Sequence, residues 1–493
     1  MGPKWFTFIL AFTVYTRPWN EGINPEYIIN FLNACEKHQS EIHGIAIAVH
    51  DRIIFEAYNA PYNAQTPHIM HSFTKILTNT AVGLAFGDGL LQLDDPVLKY
   101  FPEQVVSANN FLKKCTIRDL LTMRNGQERS IGGNEWRPLK TSWKQAYFQV
   151  PFDKEPGKTF MYSSGNSYIL SYLVQQVERK TAAALFQDRI GEKIGIKDFP
   201  WMMSPEGVCS GGNGVELKVT DMLRLGILYL HKGNWQGEQL LPAEWVDYAF
   251  GYRDPIPPVE GKQYNFHWER KSGQDIWAAK GMFGQICGVI PKYDMVFAIT
   301  AADKTYSTED LFQKEILDKI NASRKKMAPL KEPVMEKILH EKGLRLSLLD
   351  HDHSVDKHIK LPKSMVFYPE KNPDHIQCIQ LIFKENTFYF RMRDNRGFHE
   401  IKHGLDYWVQ GTTSMTGAYL HHQYEKECLQ VWAEGHWTDA TTLLLKWRYP
   451  EMAFFDQVKI CFQKEQVIIN RWVNMNSQDI CRPTLVLKNH YHA

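Results

Sequence analysis

The sequence predicts an α/β domain followed by an all-β module, small barrel or sandwich, and three observations carry that expectation. A chain of 493 residues is too long for one ordinary hydrophobic core. Strand-like apolar segments at 44–50 and 53–57, and again at 286–290 and 295–300, bracket a mostly helical middle. After Pro333 the pattern changes to short segments of alternating or β-branched and aromatic residues with turn residues between them. The expected division is therefore 1–325, a linker at 326–333 and 334–493, the linker falling in the charged, proline-bearing run KKMAPLKEP at 325–333.

Taken in order, Asn24-Pro25-Glu26 reads as an N-cap with proline at the first helical position, and Ile28, Leu32 and Cys35 mark one apolar face. GIAIAVH and IIFEA, separated by Asp51-Arg52, read as a tight hairpin. From His71-Ser72-Phe73-Thr74-Lys75 the chain runs without proline through Gly87, which predicts one long buried helix. Thr116 to Asp119 is a capping box. Residues 126–160 have little periodicity, and a loop region that long is either disordered or part of a binding site, Trp136 and Trp143 favouring the second. Beyond Tyr162-Ser163-Ser164-Gly165-Asn166 comes a helix, and after the glycine turn Gly211-Gly212-Asn213-Gly214, Thr220-Asp221 caps another. Lys280-Gly281-Met282-Phe283-Gly284-Gln285 leads into the last hairpin, and a helix from about Thr308 to Ile320 closes the unit. In the C-terminal part Gln377 to Lys384, Thr387 to Arg391, Thr441 to Trp447 and Gln466 to Val473 read as strands, and five tryptophans there, Trp408, Trp432, Trp437, Trp447 and Trp472, read as core.

Composition excludes several classes of function. Net charge is +2 with acids and bases nearly balanced, which argues against a nucleic-acid footprint and against a membrane-surface patch. The eight cysteines form no CxxC pair, as expected for free thiols in a reducing compartment. Lys4 followed by Trp5 to Val14 imitates a signal peptide, but no A-x-A-like cleavage site follows, so a cytoplasmic location is expected in preference to a secreted one. His351-Asp352-His353 and His490-Tyr491-His492 lack an acidic or histidine partner at helical spacing, so no metal site is expected. No cofactor is expected, and the expected partner is a small-molecule substrate.

Ser72 and Lys75, three residues apart, share one helix face, which brings the lysine amine within reach of the serine hydroxyl. A serine is a poor nucleophile until something takes its proton, and a lysine takes it only when burial or a nearby cation lowers its pKa from about 10. The S-x-x-K pattern alone arises by chance in many chains. Here it is followed by Tyr162-Ser163-Ser164 and by Lys280-Gly281 ahead of a strand. In this order and at these intervals the chain resembles the serine β-lactamase and penicillin-binding-protein superfamily, within it the class C β-lactamase, D,D-peptidase and esterase branch. The resemblance spans about residues 20 to 320 and includes the connecting text from His71 to Pro102, Leu120 to Met123, Glu155 to Lys158 and Gly284-Gln285.

That resemblance implies an antiparallel sheet with a helical domain, and metal-independent acyl transfer to water. Ser72 would attack a carbonyl to form an acyl-enzyme, while Lys75 and Tyr162 would share the serine proton and pass it to the leaving group. A lysine cation beside a tyrosine hydroxyl favours phenolate. Backbone amides of Ser72 and of a residue in Gly281 to Phe283 would form the oxyanion hole. The chain departs from the family pattern in two places. Ser164 stands where many relatives have asparagine, with Asn166 two places on, so either would position a substrate amide, Ser164 being preferred. At the third motif Lys280-Gly281-Met282 lacks the usual hydroxyl, which weakens the corner that suits β-lactams and shifts the expectation to an ester or amide. The alternatives are a non-turnover binding or sensing protein and an acyltransferase.

Overall fold

The computed structural model describes residues 14–253, 259, 261–305, 307–323, 332–344, 346–349, 354–355, 360–415, 420–424, 426–477 and 479–488. The chain forms two compact units, one made of the chain up to Tyr58 and Ile69–Leu346, the other of Asn59–His68 and the chain from Ser347 onward. The boundary thus falls later than the expected 326–333. Residues 326–331 lie outside the described residues, and Glu332–Leu344 is a helix of the first unit, because Leu339 joins its hydrophobic core.

The first unit is built on an eight-stranded sheet. Its strands are β1 (Val14–Tyr15), β2 (Glu41–Val49), β3 (Arg52–Tyr58), β4 (Lys262–Asn265), β5 (Trp268–Lys271), β6 (Trp277–Gly281), β7 (Gln285–Ile290) and β8 (Met295–Ala302), in the spatial order β1-β3-β2-β8-β7-β6-β5-β4. All neighbours are antiparallel except β1 with β3. The β2–β3 hairpin turns through His50 and Asp51, both left-handed at φ 48° and 60°, the backbone that a tight two-residue turn demands. β8 is buried along its whole length and β2 over nearly all of it, which explains why their sequences read as continuous apolar runs.

Helices cover both faces. On one lies α1 (Pro25–Lys37), whose N-cap Asn24 accepts from the Glu26 amide at 3.0 Å. Its buried stripe of Ile28, Phe31, Leu32 and Cys35 joins Phe297 of β8 and Phe312 in one core, with ring centroids 5.5 Å apart for Phe31 and Phe312 and 3.8 Å for Phe297 and Phe312. The closing helix is interrupted: Thr308–Phe312 passes into a wider turn at Gln313–Leu317 before Asp318–Ser323. The other face carries α2 (Lys75–Gly87), α3 (Ser164–Glu178) and α4 (Val219–Leu230). The cap of α4 is Lys218, whose amide donates to Asp221 at 3.1 Å, two residues before the expected Thr220.

α2 is buried from Lys75 to Ala85, so its polar side chains need internal partners. Thr78 donates to the Gly211 carbonyl at 2.7 Å, Asn79 to that of Phe266 at 2.5 Å, and Thr80 meets the Tyr229 hydroxyl at 2.9 Å. At Gly83 a Cβ would stand 2.6 Å from the Trp245 ring, so only glycine lets that ring lie against the helix. Trp136 and Trp143, expected to line a binding loop, are instead core residues. They stack at 5.4 Å and pack on Tyr168, and are 2 % and 3 % exposed.

The second unit carries a ten-stranded sheet: β9 (Ser364–Phe367), β10 (Cys378–Lys384), β11 (Thr387–Asp394), β12 (Gly397–Leu405), β13 (Val409–Thr413), β14 (Leu429–Asp439), β15 (Thr442–Arg448), β16 (Phe455–Phe462), β17 (Gln466–Val473) and β18 (Leu485–Lys488). They pair in sequence order except that β12 also meets β14, in parallel, and β13 pairs only with β14. Phe383 of β10, Trp437 of β14 and Phe462 of β16 nevertheless meet with centroids 5.7–6.3 Å apart. Strands far apart in the sheet therefore turn their rings to a common interior, and the sheet curls into a nearly closed barrel. A buried Asp456 there accepts from His421 at 2.6 Å and Arg471 at 3.0 Å.

All eight cysteines are free. No helix among the described residues is long and apolar enough to cross a membrane. Because Phe312 is fully buried between two other rings, Phe312→Ala is expected to destabilise the first unit by about 3–5 kcal/mol. An unchanged denaturant midpoint for that unit, followed by tryptophan fluorescence, would contradict the packing described.

Candidate active site

The chain reaches Ser72 through a tight approach. The Met70 amide donates to the Val215 carbonyl at 2.9 Å, His71 is left-handed at φ 47°, and His71–Thr74 forms a 3₁₀ turn before α2 begins at Lys75. The expected single helix is thus a 3₁₀ turn continued by an α-helix. Ser72 stays half-buried at this bend while Lys75, one turn on, is 2 % exposed. The Lys75 ammonium finds three acceptors: Ser72 Oγ at 3.2 Å, Ser164 Oγ at 3.1 Å and the Gly212 carbonyl at 2.7 Å. It also lies 4.8 Å from the centre of the Tyr162 ring. Burial, reinforced by the like charge of Arg137, lowers its pKa to about 7. The N-terminus of α3 at Ser164 adds the positive end of a helix dipole to the same corner.

The Gly212 carbonyl is a contributor that the sequence marked only as a turn. Gly211 is left-handed at φ 66°, and a Cβ on it would fall 2.2 Å from the Ser167 carbonyl, while one on Gly212 would fall 2.8 Å from Ser164 Cβ. Bare backbone is what lets this turn press against α3 and aim a carbonyl at Lys75.

Tyr162 joins the cluster by its ring, whose centre lies 4.8 Å from the Lys75 ammonium, and the Ser72 hydroxyl acts to lower its pKa. Burial of the hydroxyl end pushes its pKa well up, and the Ser72 hydroxyl offsets only part of the rise. Within the lysine–tyrosine pair expected to hold a proton acceptor near neutrality, the pKa of Lys75 is brought to about 7 while that of Tyr162 is raised. Ser164 lies on the Lys75 side of α3. Asn166 does not, because two helical residues differ by roughly 200° around the axis. It is fully buried, accepting from the Tyr147 hydroxyl at 3.0 Å and lying against Met123, so its expected substrate contact is corrected to a core contact.

His267 was not legible in the sequence. It sits at the tip of the β4–β5 hairpin, where Phe266 and His267 are both left-handed at φ 43° and 71°. The tip clamps α2: the Phe266 carbonyl accepts from Asn79, His267 Nδ1 lies 2.9 Å from the Lys75 carbonyl, and Nε2 lies 3.3 Å from Ser167 Oγ. Burial, with the Lys75 charge, lowers its pKa to about 3. The ring is neutral near neutral pH, with its Nδ1 proton directed at the Lys75 carbonyl.

The third motif ends β6. Gly281 lies so close to the Met70 carbonyl that a Cβ would stand 2.1 Å from it, which brings the strand end beside Ser72. Phe283 and Gly284 turn with φ 65° and 91°, and buried Gln285 braces that turn by donating to the Met282, Phe283 and Ala301 carbonyls at 3.1, 3.3 and 2.9 Å. Lys280 is committed elsewhere, its ammonium 2.5 Å from Glu269 and paired with Glu309. Ser72, Lys75, Tyr162, Lys280, Gly281 and Met282 all line one cavity of about 390 Å³. Among the described residues no group of three His, Cys, Asp or Glu side chains is placed to hold a metal; His351, Asp352, His353, His490, Tyr491 and His492 lie outside them.

The chain is similar to the 6-aminohexanoate-dimer hydrolase of Paenarthrobacter ureafaciens, 21 % identical over 271 residues that cover 50 % of this chain and 68 % of that protein. Among solved structures it is similar to a putative 6-aminohexanoate-dimer hydrolase from Bacillus anthracis, with a TM-score of 0.50, 18 % identity, and coverage of 60 % of this chain and 82 % of that one. It is also similar to a class C beta lactamase from Rhodobacter sphaeroides, with a TM-score of 0.48, 16 % identity, and coverage of 60 % and 100 %. The Beta-lactamase family model matches residues 32–319, well over half of the sequence, and the chain belongs to that family.

Proposed function

We propose that the protein is a serine hydrolase that cleaves a small ester, amide or peptide bond through an acyl-enzyme on Ser72. The observation that carries this reading is the lysine amine 3.2 Å from the serine hydroxyl, with its pKa brought to about 7. In its neutral form Lys75 has two N–H bonds and one lone pair. Gly212 and Ser164 are placed to take the N–H bonds, which leaves the lone pair for the Ser72 proton. The serine oxygen then bonds to the substrate carbonyl carbon, whose oxygen becomes an oxyanion. Backbone amides of Ser72 and the Gly281–Phe283 segment are the candidate donors for that oxyanion. Collapse expels the leaving alcohol or amine, which takes a proton through the Tyr162 phenol as the phenol is resupplied from Lys75. Water repeats the sequence on the acyl-enzyme and frees Ser72.

The similarity to hydrolases named for an amino-acid dimer supports an amide or ester substrate. The pairing of Lys280 with Glu269 and Glu309 supports a reaction other than β-lactam cleavage, because that lysine is already neutralised by protein carboxylates.

A fluorophosphonate probe is expected to add once to the wild type, and mass spectrometry is expected to place it on Ser72. Labelling that survives Ser72→Ala would overturn the assignment. Ser72→Ala and Lys75→Ala are each expected to lower kcat/KM by about 10³-fold or more, with the double variant little worse than either. Since Lys75 works as the free amine, kcat/KM for a neutral ester should rise with pH through about 7. Removing the Arg137 charge relieves a like-charge repulsion, so Arg137→Gln should move that rise to higher pH; a shift to lower pH would contradict the cause given.

A further inference from the structure

Along the cavity wall beyond the Ser72 cluster, ionic side chains from three strands and one helix join into a single chain of alternating sign. Residues two apart on a strand share a face. The registers set Lys262 of β4 opposite Lys271 of β5, and Glu269 of β5 opposite Ala278 of β6, two residues before Lys280. These four ionic groups therefore share one side of the sheet, where the helix Thr308–Phe312 adds Glu309 and Asp310. Glu269 takes Lys262 on one oxygen at 2.7 Å and Lys280 on the other at 2.5 Å. Lys280 pairs in turn with Glu309, which lies 3.4 Å from Lys271, and Lys271 ends the chain on Asp310 at 2.6 Å. From Lys262 to Asp310 the sign changes at every step.

The chain is ionised, and it balances. Burial works against both Lys280 and Glu269, yet their opposite charges outweigh it, raising the lysine and lowering the glutamate. Three ammonium groups meet three carboxylates, and the like charges of Lys262 and Lys271 stand directly opposite each other only because a carboxylate flanks each. Asp303 also lines the cavity. An ionised carboxylate has about four lone-pair sites, and the amides and hydroxyls of Thr305 and Thr308 fill those of Asp303 at 2.6–3.1 Å. Of the other ionisable groups in the lining, His267 is neutral and Lys75 is a free amine once the pH exceeds its pKa of about 7. What the wall still offers is N–H bonds. An ammonium has three, and the lysine side chains are 27–33 % exposed.

Resting on the acyl-enzyme reading above, we propose that this balanced chain selects substrates by charge: the acyl group presented to Ser72 ends in an uncharged polar group such as an amide, and Glu309, Lys271 and Asp310 determine that choice. A carboxylate or a cation brought to this wall would leave water and find every opposite charge already engaged, so one ion would remain unpaired in the cavity. An uncharged oxygen accepts a lysine N–H and leaves the balance intact. Removing one member of the chain frees the charge of its partner. Loss of Lys271 leaves an acid in excess and should turn the preference towards a cationic acyl group. Loss of Asp310 or Glu309 leaves a lysine in excess and should turn it towards an anionic one.

The test compares 4-nitrophenyl adipamate with mono-(4-nitrophenyl) adipate and 4-nitrophenyl 5-guanidinopentanoate, acyl chains of similar reach that end in an amide, a carboxylate and a guanidinium. In the wild type, at a pH where Lys75 is the free amine, kcat/KM for the amide is expected to exceed that for either charged ester by at least about tenfold. Lys271→Gln should raise the guanidinium-to-amide ratio by about tenfold, and Asp310→Asn and Glu309→Gln the carboxylate-to-amide ratio by as much, with smaller changes as salt is added. Asp310 is 56 % exposed, so its variant carries the test if the one at buried Glu309 fails to fold. A charged ester that equals or beats the amide in the wild type overturns the selection. So do ratios that stay put, or move the other way, in both Lys271→Gln and Asp310→Asn. Calorimetry of the Ser72→Ala protein with methyl adipamate and monomethyl adipate gives a readout without turnover. Tighter binding of methyl adipamate, with no probe label on wild-type Ser72, would keep the selection and reject the acyl-enzyme. Labelled Ser72 with monomethyl adipate bound at least as tightly would do the reverse.

Discussion

Burial of one amine governs the first unit. A lysine taken from water loses several kcal/mol of hydration, and Lys75 is held there by three oxygens contributed from the 3₁₀ turn that precedes α2, from α3 and from the glycine turn at Gly211–Gly214. Each element is constrained by that meeting: α2 carries polar groups inward, the turn gives up side chains at Gly211 and Gly212, and α3 begins with a serine whose hydroxyl meets the amine. The balance between three acceptors, which favour the cation, and desolvation, which disfavours it, leaves the group near neutrality. An exposed lysine with the same neighbours would stay charged and could not accept a proton.

What the sequence disclosed follows from how local each feature is. Ser72 and Lys75 are three residues apart on one helical turn, so spacing places that pair, whereas Tyr162 and Ser164, at the start of another helix, were placed by the family resemblance. The β2–β3 hairpin and the capping box at Thr116 are equally local. Asn166 was legible as a polar residue near a motif but not as a buried one, since that depends on Tyr147 arriving from a separate helix. The tryptophans at 136 and 143 were misjudged for the same reason: an aromatic in an aperiodic stretch reads as exposed until its partner, Tyr168, is known.

The strands β4 and β5 were invisible because four residues each are too few to establish a period of two. Their importance comes entirely from pairing with β6, which lies further along the chain, and from a turn that reaches α2. Burial likewise decides the charge states that sequence chemistry left open. A lysine beside a tyrosine reads as a phenolate pair on paper; in the folded protein the amine is buried and holds its proton less tightly, while the pKa of the phenol moves up.

The tip of the β4–β5 hairpin carries a penalty for its position. Phenylalanine and histidine in consecutive left-handed conformations cost roughly 1–3 kcal/mol each, where asparagine and glycine would sit at ease. A screen for heat resistance would therefore be drawn to these two positions, and a hardier descendant altered at His267 would have released the ring that grips the backbone of the central lysine. At His267, endurance and reactivity pull in opposite directions.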